Sequence, residues 1–325
     1  MSADTEGRAG LRAGRVSGWL VRNHIWLFFA LSVGLFSLAS PYFLTLNNLG
    51  NVLTQAAFIG ILAVGMTMVI LNGEIDLSVG AVLALASALA IGLQPLIGVW
   101  PAILAGLLSG VALGGLNGAI VAFSGMHSFV VTLGALIGIR GLVFVYTGEN
   151  ALMVEDFSYT EIPEIYLGPL SLTAMVFLGL ALLFQRVLSS TRHGRETYAV
   201  GDNIEAAYDA GINIKRHKII NFTICGTMAA VAGILLSMRL GTAEPNAGRM
   251  WELWTIIAVV LGGTRLAGGF GSIWMTLGGV LTLAVIRNGL RLLNTPNYVE
   301  LMVMGTVLIL ALALDRLLAH RGDGA

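Results

Sequence analysis

Apolar stretches long enough to cross much of a bilayer recur from residue 25 to residue 314, separated by short polar or glycine-rich intervals. A helical span takes about 20 apolar residues. That length predicts helices over 25–41, 50–71, 77–94, 99–123, 129–147, 170–188, 219–240, 252–264, 273–290 and 298–314. The expected fold is an all-α integral membrane protein of about ten spans. The eighth stretch is short for a full crossing. Two polar intervals stand out. Residues 148–168 carry Glu149, Glu155, Asp156, Glu161 and Glu164, with no Lys or Arg. Residues 189–218 carry Arg192, Arg195, Lys215, Arg216 and Lys218.

Composition agrees with the pattern. Only 11% of the 325 residues are charged, against about 25% in soluble domains. The mean hydropathy is +0.84. The 42 glycines sit largely within apolar runs, where small residues let helices approach closely. A net charge of +0 gives no basis for nucleic-acid binding. The distribution of charge sets the orientation, because Lys and Arg favour cytoplasmic segments. Arg8, Arg12, Arg15 and Arg22 place an N-terminal arm, 1–24, inside. No small-residue cleavage pattern follows the first apolar run, so it reads as a span rather than a signal. The transmembrane domain then covers 25–318. Five crossings put the acidic 148–168 segment outside, and six put the basic 189–218 segment inside. Ten bring Arg316, Arg321 and the tail 319–325 back inside. Arg287 and Arg291, near the outer end of the ninth span, run against this bias and point to an interior position. The lone Cys225 reads as a small apolar helix residue.

The stretch Asn72-Gly73-Glu74-Ile75-Asp76-Leu77-Ser78-Val79-Gly80 interrupts two apolar runs with two carboxylates. Acids at such depth are expensive and mark functional positions. Three roles are open. Asp76 and Ser78 can cap the third helix. Glu74 or Asp76 can pair with an arginine such as Arg140, Arg265, Arg287 or Arg291. Either acid can hydrogen-bond a polar solute. Asn72, Asn117 and Asn288, with Gln55 and Thr67, are further polar positions in or beside spans, candidates for the pore or for interhelical bonds. A weak repeat relates residues 56–83 to 256–283, where Gly262-Gly263, Gly268-Gly269 and Gly271-Ser272 interrupt the apolar pattern. Glycine-broken spans in corresponding halves often line a transport route.

Catalytic chemistry is not visible. His24, His127, His193, His217 and His320 have no ligand partners at metal-binding spacing. Gly268-Gly269-Phe270-Gly271 lacks the lysine of a phosphate loop, so an energy-using function requires another subunit to bind nucleotide. The basic interval contains a second signal. Asp202 or Asn203 offers an N-cap, and Glu205 suits the positive end of the helix dipole. Ala206, Ala207 and Ala210 keep the helix slim, and Gly211 is a natural stop. A helix over 202–212 is either a docking element or a solvated loop helix.

Glu205-Ala206-Ala207, three residues and Gly211 resemble the coupling signature of ATP-binding-cassette importer permeases. Ile75-Asp76-Leu77-Ser78-Val79-Gly80, Gly115-Leu116-Asn117-Gly118 and Phe129-Val130-Val131-Thr132-Leu133-Gly134 strengthen the likeness. So do Val260-Leu261-Gly262-Gly263-Thr264, Gly268-Gly269-Phe270-Gly271-Ser272 and Arg287-Asn288-Gly289-Leu290. Together they resemble the ribose/xylose-type permeases of bacterial sugar importers, over about residues 45–318. The resemblance implies an inner-membrane permease domain whose two copies, identical or different, form a pore for a pentose, hexose or polyol. It implies a cytoplasmic ATPase that carries ATP and Mg and receives Glu205, Ala206, Ala207 and Gly211. It also implies a periplasmic sugar-binding protein, for which the acidic 148–168 segment is a candidate surface. This chain itself would hold no cofactor. The competing reading is an ion-coupled secondary transporter of a small polar solute, supported by the acids within the spans.

Overall fold

The computed structural model describes residues 25–296, 298–307, 309 and 310. The N-terminal arm, the tail and the end of the tenth stretch lie outside the described residues. In chain order the helices are α1 (Ile25–Ala39), α2 (Leu46–Leu71), α3 (Val79–Gly92), α4 (Gln94–Ile97), α5 (Val99–Ser124) and α6 (Ser128–Thr147). They continue with α7 (Ser158–Glu161), α8 (Leu172–Ser190), α9 (Arg192–Asp202), α10 (Ile204–Asp209) and α11 (Ile214–Leu240). The last are α12 (Trp251–Leu261), α13 (Ile273–Leu292) and α14 (Tyr298–Val307). Among the described residues, α2, α5, α6, α8, α11 and α13 are long and apolar enough to cross a membrane, and α1, α3, α12 and α14 are shorter apolar helices.

A helix that is apolar all round needs burial on every side, and α2 obtains it. Its strongest apolar stretch is 89% buried. Gly60 of α2 receives the Phe177 ring of α8, and Gly65 lies on the Cys225 backbone of α11. Thr67 bonds Thr276 of α13 at 2.7 Å. Helices α5 and α11 approach through glycines: a Cβ on Gly110 or Gly114 would collide with backbone at Gly226 and Phe222. Small-residue contact of this kind is how membrane helices pack without a hydrophobic driving force between them.

One end of the bundle is marked by two short antiparallel pairs. β1 (Leu152–Met153) pairs with β4 (Thr242–Ala243), and β2 (Tyr166–Leu167) with β3 (Leu170–Ser171). The other end carries α9 and α10. The acidic interval lies at the strand end and the basic one at the α9 end.

The helix expected over 202–212 is two elements. Asp202 closes α9, and Asn203 caps α10 by accepting from Ala206 N–H at 2.9 Å. The division follows from Asn203, whose extended backbone at φ −151° cannot continue a helix. Gly211, at φ +79°, ends the turn with Ile212 N–H reaching the Ala207 carbonyl. Helix α9 has its own cap, Thr191, bonded to Gly194 N–H at 3.2 Å.

Two further irregular segments position the site. The chain between α2 and α3, and the chain between α12 and α13, both break apolar runs. In addition, residues 244–250 return inward from β4 before α12 begins. Gly80, in the first turn of α3, lies against the Gly248 carbonyl and the Glu252 carboxylate of α12. From this meeting point α3 runs to the strand end, where Gly92 touches Tyr146 and Leu152. Helix α12 runs the opposite way and finishes with Gly262 against Met275.

Candidate functional site

The first break is built by side chains. The end of α2 is closed by Gly73, at φ +77°, donating to the Ile70 carbonyl. Asp76 then accepts from the Ser78 N–H at 2.9 Å and from the Ser78 hydroxyl at 2.6 Å. Asn117 of α5 donates to the same hydroxyl at 2.9 Å. The polar chain Asn117–Ser78–Asp76 therefore fixes the entry to α3 from two helices. From α6, Ser128 Oγ accepts the Ile75 N–H at 3.1 Å, and Thr132 donates to the Ile75 carbonyl at 3.3 Å. Asp76 is buried, and its Oδ2 has no partner among the described residues. Both polar atoms of buried Asn72 are also without partners there.

The arginines considered as partners for Glu74 and Asp76 are engaged elsewhere. Glu74 instead pairs with Lys218, in the first turns of α11, at 2.5 Å. Arg140 donates to the Pro245 and Ala247 carbonyls at 2.7 and 2.8 Å. Arg265 lies over the Phe270 ring. Arg287 and Arg291 bind Glu300 of α14 at 2.6 and 3.3 Å, which explains their place at the strand end. Asn288 is also remote from the break: it exchanges two amide bonds of 2.9 Å with Asn48 and ties α13 to the start of α2.

The second break is built by glycine and backbone. Gly263, Gly268, Gly269 and Gly271 all have positive φ. Gly269 N–H donates to the Leu71 carbonyl at the end of α2. Gly268 lies against Gly73 and Gly201, so the two breaks touch each other and also touch α9. A Cβ on Gly201 would occupy the space of the Leu71 carbonyl. Tyr198 of α9 donates to the Gly271 carbonyl at 2.7 Å.

Helix α9 is further clasped to α11. Glu196 accepts from Arg192 at 2.6 Å and bonds His217 at 2.8 Å. His193 bonds Asn221 at 2.8 Å and stacks on His217 with ring centres 4.8 Å apart. The Arg192 hydrogen bond holds the Glu196 carboxyl below its ordinary range. Burial lowers the His193 pKa. Beyond this clasp, α10 protrudes. Ala207 is buried, whereas Ile204, Glu205, Ala206, Tyr208 and Gly211 are exposed. A rigid α9 thus connects an exposed apolar-edged turn to both span breaks.

Sequence patterning did not single out α9, Lys218 or Glu252. The Thr191–Gly194 spacing is a cap signal for α9. Glu252, an acid inside an apolar run, carries the same signal as Glu74 and Asp76.

A family model described as "Branched-chain amino acid transport system / permease component" matches residues 48–312. Ribose import permease protein RbsC of Escherichia coli strain K12 is 39% identical over 91% of this chain and 94% of its own length. D-allose transport system permease protein AlsC of the same strain is 37% identical, covering 89% and 90%. Xylose transport system permease protein XylH, again from that strain, is 33% identical, covering 84% and 86%. No solved structure matches. With an alignment that takes in both breaks, α9 and α10, the chain belongs to the family of transport-system permease components.

Proposed function

We propose that the chain is the membrane-spanning pore subunit of a bacterial ATP-binding-cassette importer for a simple sugar. The observation that carries this reading is the seam at Gly201, where the segment bearing exposed α10 packs directly on the ends of both span breaks. The sugar import permeases to which the chain is similar set the substrate class, a pentose, hexose or polyol.

In this reading the chain crosses the inner membrane about ten times, the short helices α3 and α12 completing their crossings with the irregular segments 72–78 and 244–250, and the α9 end and both termini lie in the cytoplasm. The chain provides the transmembrane domain over 25–318 between the cytoplasmic arm and tail. A separate ATPase binds ATP and Mg and receives α10, with Ile204 and Tyr208 as apolar contacts beside Glu205 and Ala206. Closure of the ATPase moves α9 as a rigid body through the clasp with α11. Because Gly201 leaves no clearance at Leu71, that motion displaces the two breaks rather than bending a loop. ATP then favours one pore state through contacts made in that state only. A periplasmic binding protein delivers the sugar at the strand end, where the acidic 148–168 segment steers its approach. A second permease copy, identical or different, completes the pore.

The test is uptake by the assembled complex in proteoliposomes. ATP-dependent uptake that is lost in Glu205→Lys while the protein still inserts is the expected result. The unpartnered carboxylate oxygens of Asp76 and Glu252 favour one second reading, an ion-coupled transporter. Uptake by this chain alone, driven by an ion gradient and indifferent to ATP, would establish that reading and remove the first.

A further inference from the structure

Beside the meeting point of α3 and α12, a cavity of about 400 Å³ lies between α6 and the segment that starts α12. Its polar lining is Arg140, Asn246, Arg249 and Glu252, with Phe144 as its aromatic wall. Glu252 is only 9% exposed, and its Oε2 has no hydrogen-bond partner among the described residues. Asn246 and Arg249 are exposed on the single chain. Arg140 lies twelve positions beyond Ser128, the start of α6, which is about 18 Å along a helix axis. The cavity is therefore near the middle of the bundle, where guanidinium groups open to hydrocarbon would be costly.

That placement excludes lipid as the natural neighbour of this face. The residues also limit the chemistry of what can occupy it. A carboxylate repels an anion, and two guanidiniums repel a cation. Donors and acceptors side by side suit a solute whose hydroxyls both donate and accept. An aromatic wall suits the C–H face of a sugar ring. Transport routes commonly hold their solute where discontinuous helices begin at mid-depth.

We infer that the cavity lined by Arg140, Asn246, Arg249 and Glu252 is a sugar-contacting subsite on a water-filled translocation path. This inference rests on the sugar-importer reading. The site holds sugar in transit by hydrogen bonds from Arg249 and to Glu252, and Arg140 positions the 245–247 backbone through its two carbonyl contacts. Since the walls come from α6 and from the segment that starts α12, the site changes shape whenever α12 moves relative to α6.

The experiment uses the assembled complex in lipid vesicles. Cys225 is buried, so introduced cysteines report on a quiet background. A charged methanethiosulfonate reagent should modify Asn246→Cys at a rate close to that of Glu155→Cys in the outer interval. It should modify Leu182→Cys, on the exposed apolar face of α8, far more slowly. D-ribose, D-allose and D-xylose are then tested as transported and protecting solutes. Glu252→Gln and Arg249→Leu should each lower the sugar moved per ATP hydrolysed about tenfold, the consequence of one lost charged hydrogen bond. Modification of Asn246→Cys as slow as Leu182→Cys would overturn the inference, and so would wild-type transport ratios in both substitutions. If the wild-type complex moves no pentose, hexose or polyol with ATP, the importer reading fails separately. Rapid modification of Asn246→Cys would in that case still support a water-filled path at this cavity.

Discussion

The two span breaks perform the same interruption with different materials. Between α2 and α3, side chains do the fixing: Asp76, Ser128 and Thr132 bond the backbone of Ser78 and Ile75, and Ser78, Asn117 and Lys218 tie in the side chains of Asp76, Ser78 and Glu74. Between α12 and α13, glycines in left-handed conformations do it, and the partners are backbone atoms of α2 and α9 together with the Tyr198 hydroxyl. The first break depends on polar groups, with glycine required at Gly73 and, where α3 begins, at Gly80. The second needs few polar side chains but has no space for a Cβ. A membrane protein with no water to satisfy a broken helix can use either solution.

The difference can be sharpened by substitution, and the largest effect belongs to the glycine break. Gly269→Val adds bulk against the Asp202 backbone at a residue with φ +72°. Strain and overpacking together should cost about 3–5 kcal/mol. Size-exclusion profiles in detergent should show loss of folded protein, while Gly134→Ala, which meets open space, serves as the control.

A smaller effect is expected at the polar break. Asp76→Ala removes the acceptor for two Ser78 donors and should cost about 2–3 kcal/mol. Asp76→Asn retains an acceptor and should recover much of this. A thermal midpoint for Asp76→Ala equal to wild type would show that the break does not need its carboxylate.

The smallest effect belongs to the Glu74–Lys218 pair, whose side chains are 13% and 18% exposed. A double-mutant cycle with Glu74→Gln and Lys218→Met should give a coupling energy of about 1–2 kcal/mol. Coupling indistinguishable from zero would reduce the pair to a chance proximity. Any larger loss in the double variant than in Asp76→Ala would reverse the order proposed for the three.

Whereas the stretches over 25–41, 77–94, 252–264 and 298–314 hold shorter helices among the described residues, the six long apolar helices were legible because length and apolarity are local properties. The same holds for Asn203, Glu205 and Gly211, where cap, dipole and stop act within one turn. Asp76 and Ser78 announced a helix start, and their hydrogen bond is a two-residue affair. Partners across the bundle were not legible. The arginines named for Glu74 lie in apolar surroundings as promising as those of Lys218, but only the packing of α11 on α2 brings the lysine within reach. Asn117 and Asn288 look alike in sequence; one joins the break and the other an amide pair at the opposite end. The meeting of Gly80 with Gly248 depends on the inward return of 244–250, which no periodicity describes. Residues 192–202 looked like part of a polar interval because their helix is amphipathic and short.

The burial of α2 on all sides has a consequence for how the chain is made. It is among the first helices to leave the ribosome, yet its permanent neighbours α8, α11 and α13 are synthesised much later. Until they arrive, α2 can rest in lipid, which suits its apolar surface, but Thr67 and Asn48 have no partners from α13. The nascent protein must therefore exchange lipid for protein around a helix it has already inserted. A chain stalled before α11 would keep its oldest full-length span in a solvent that the finished molecule denies it.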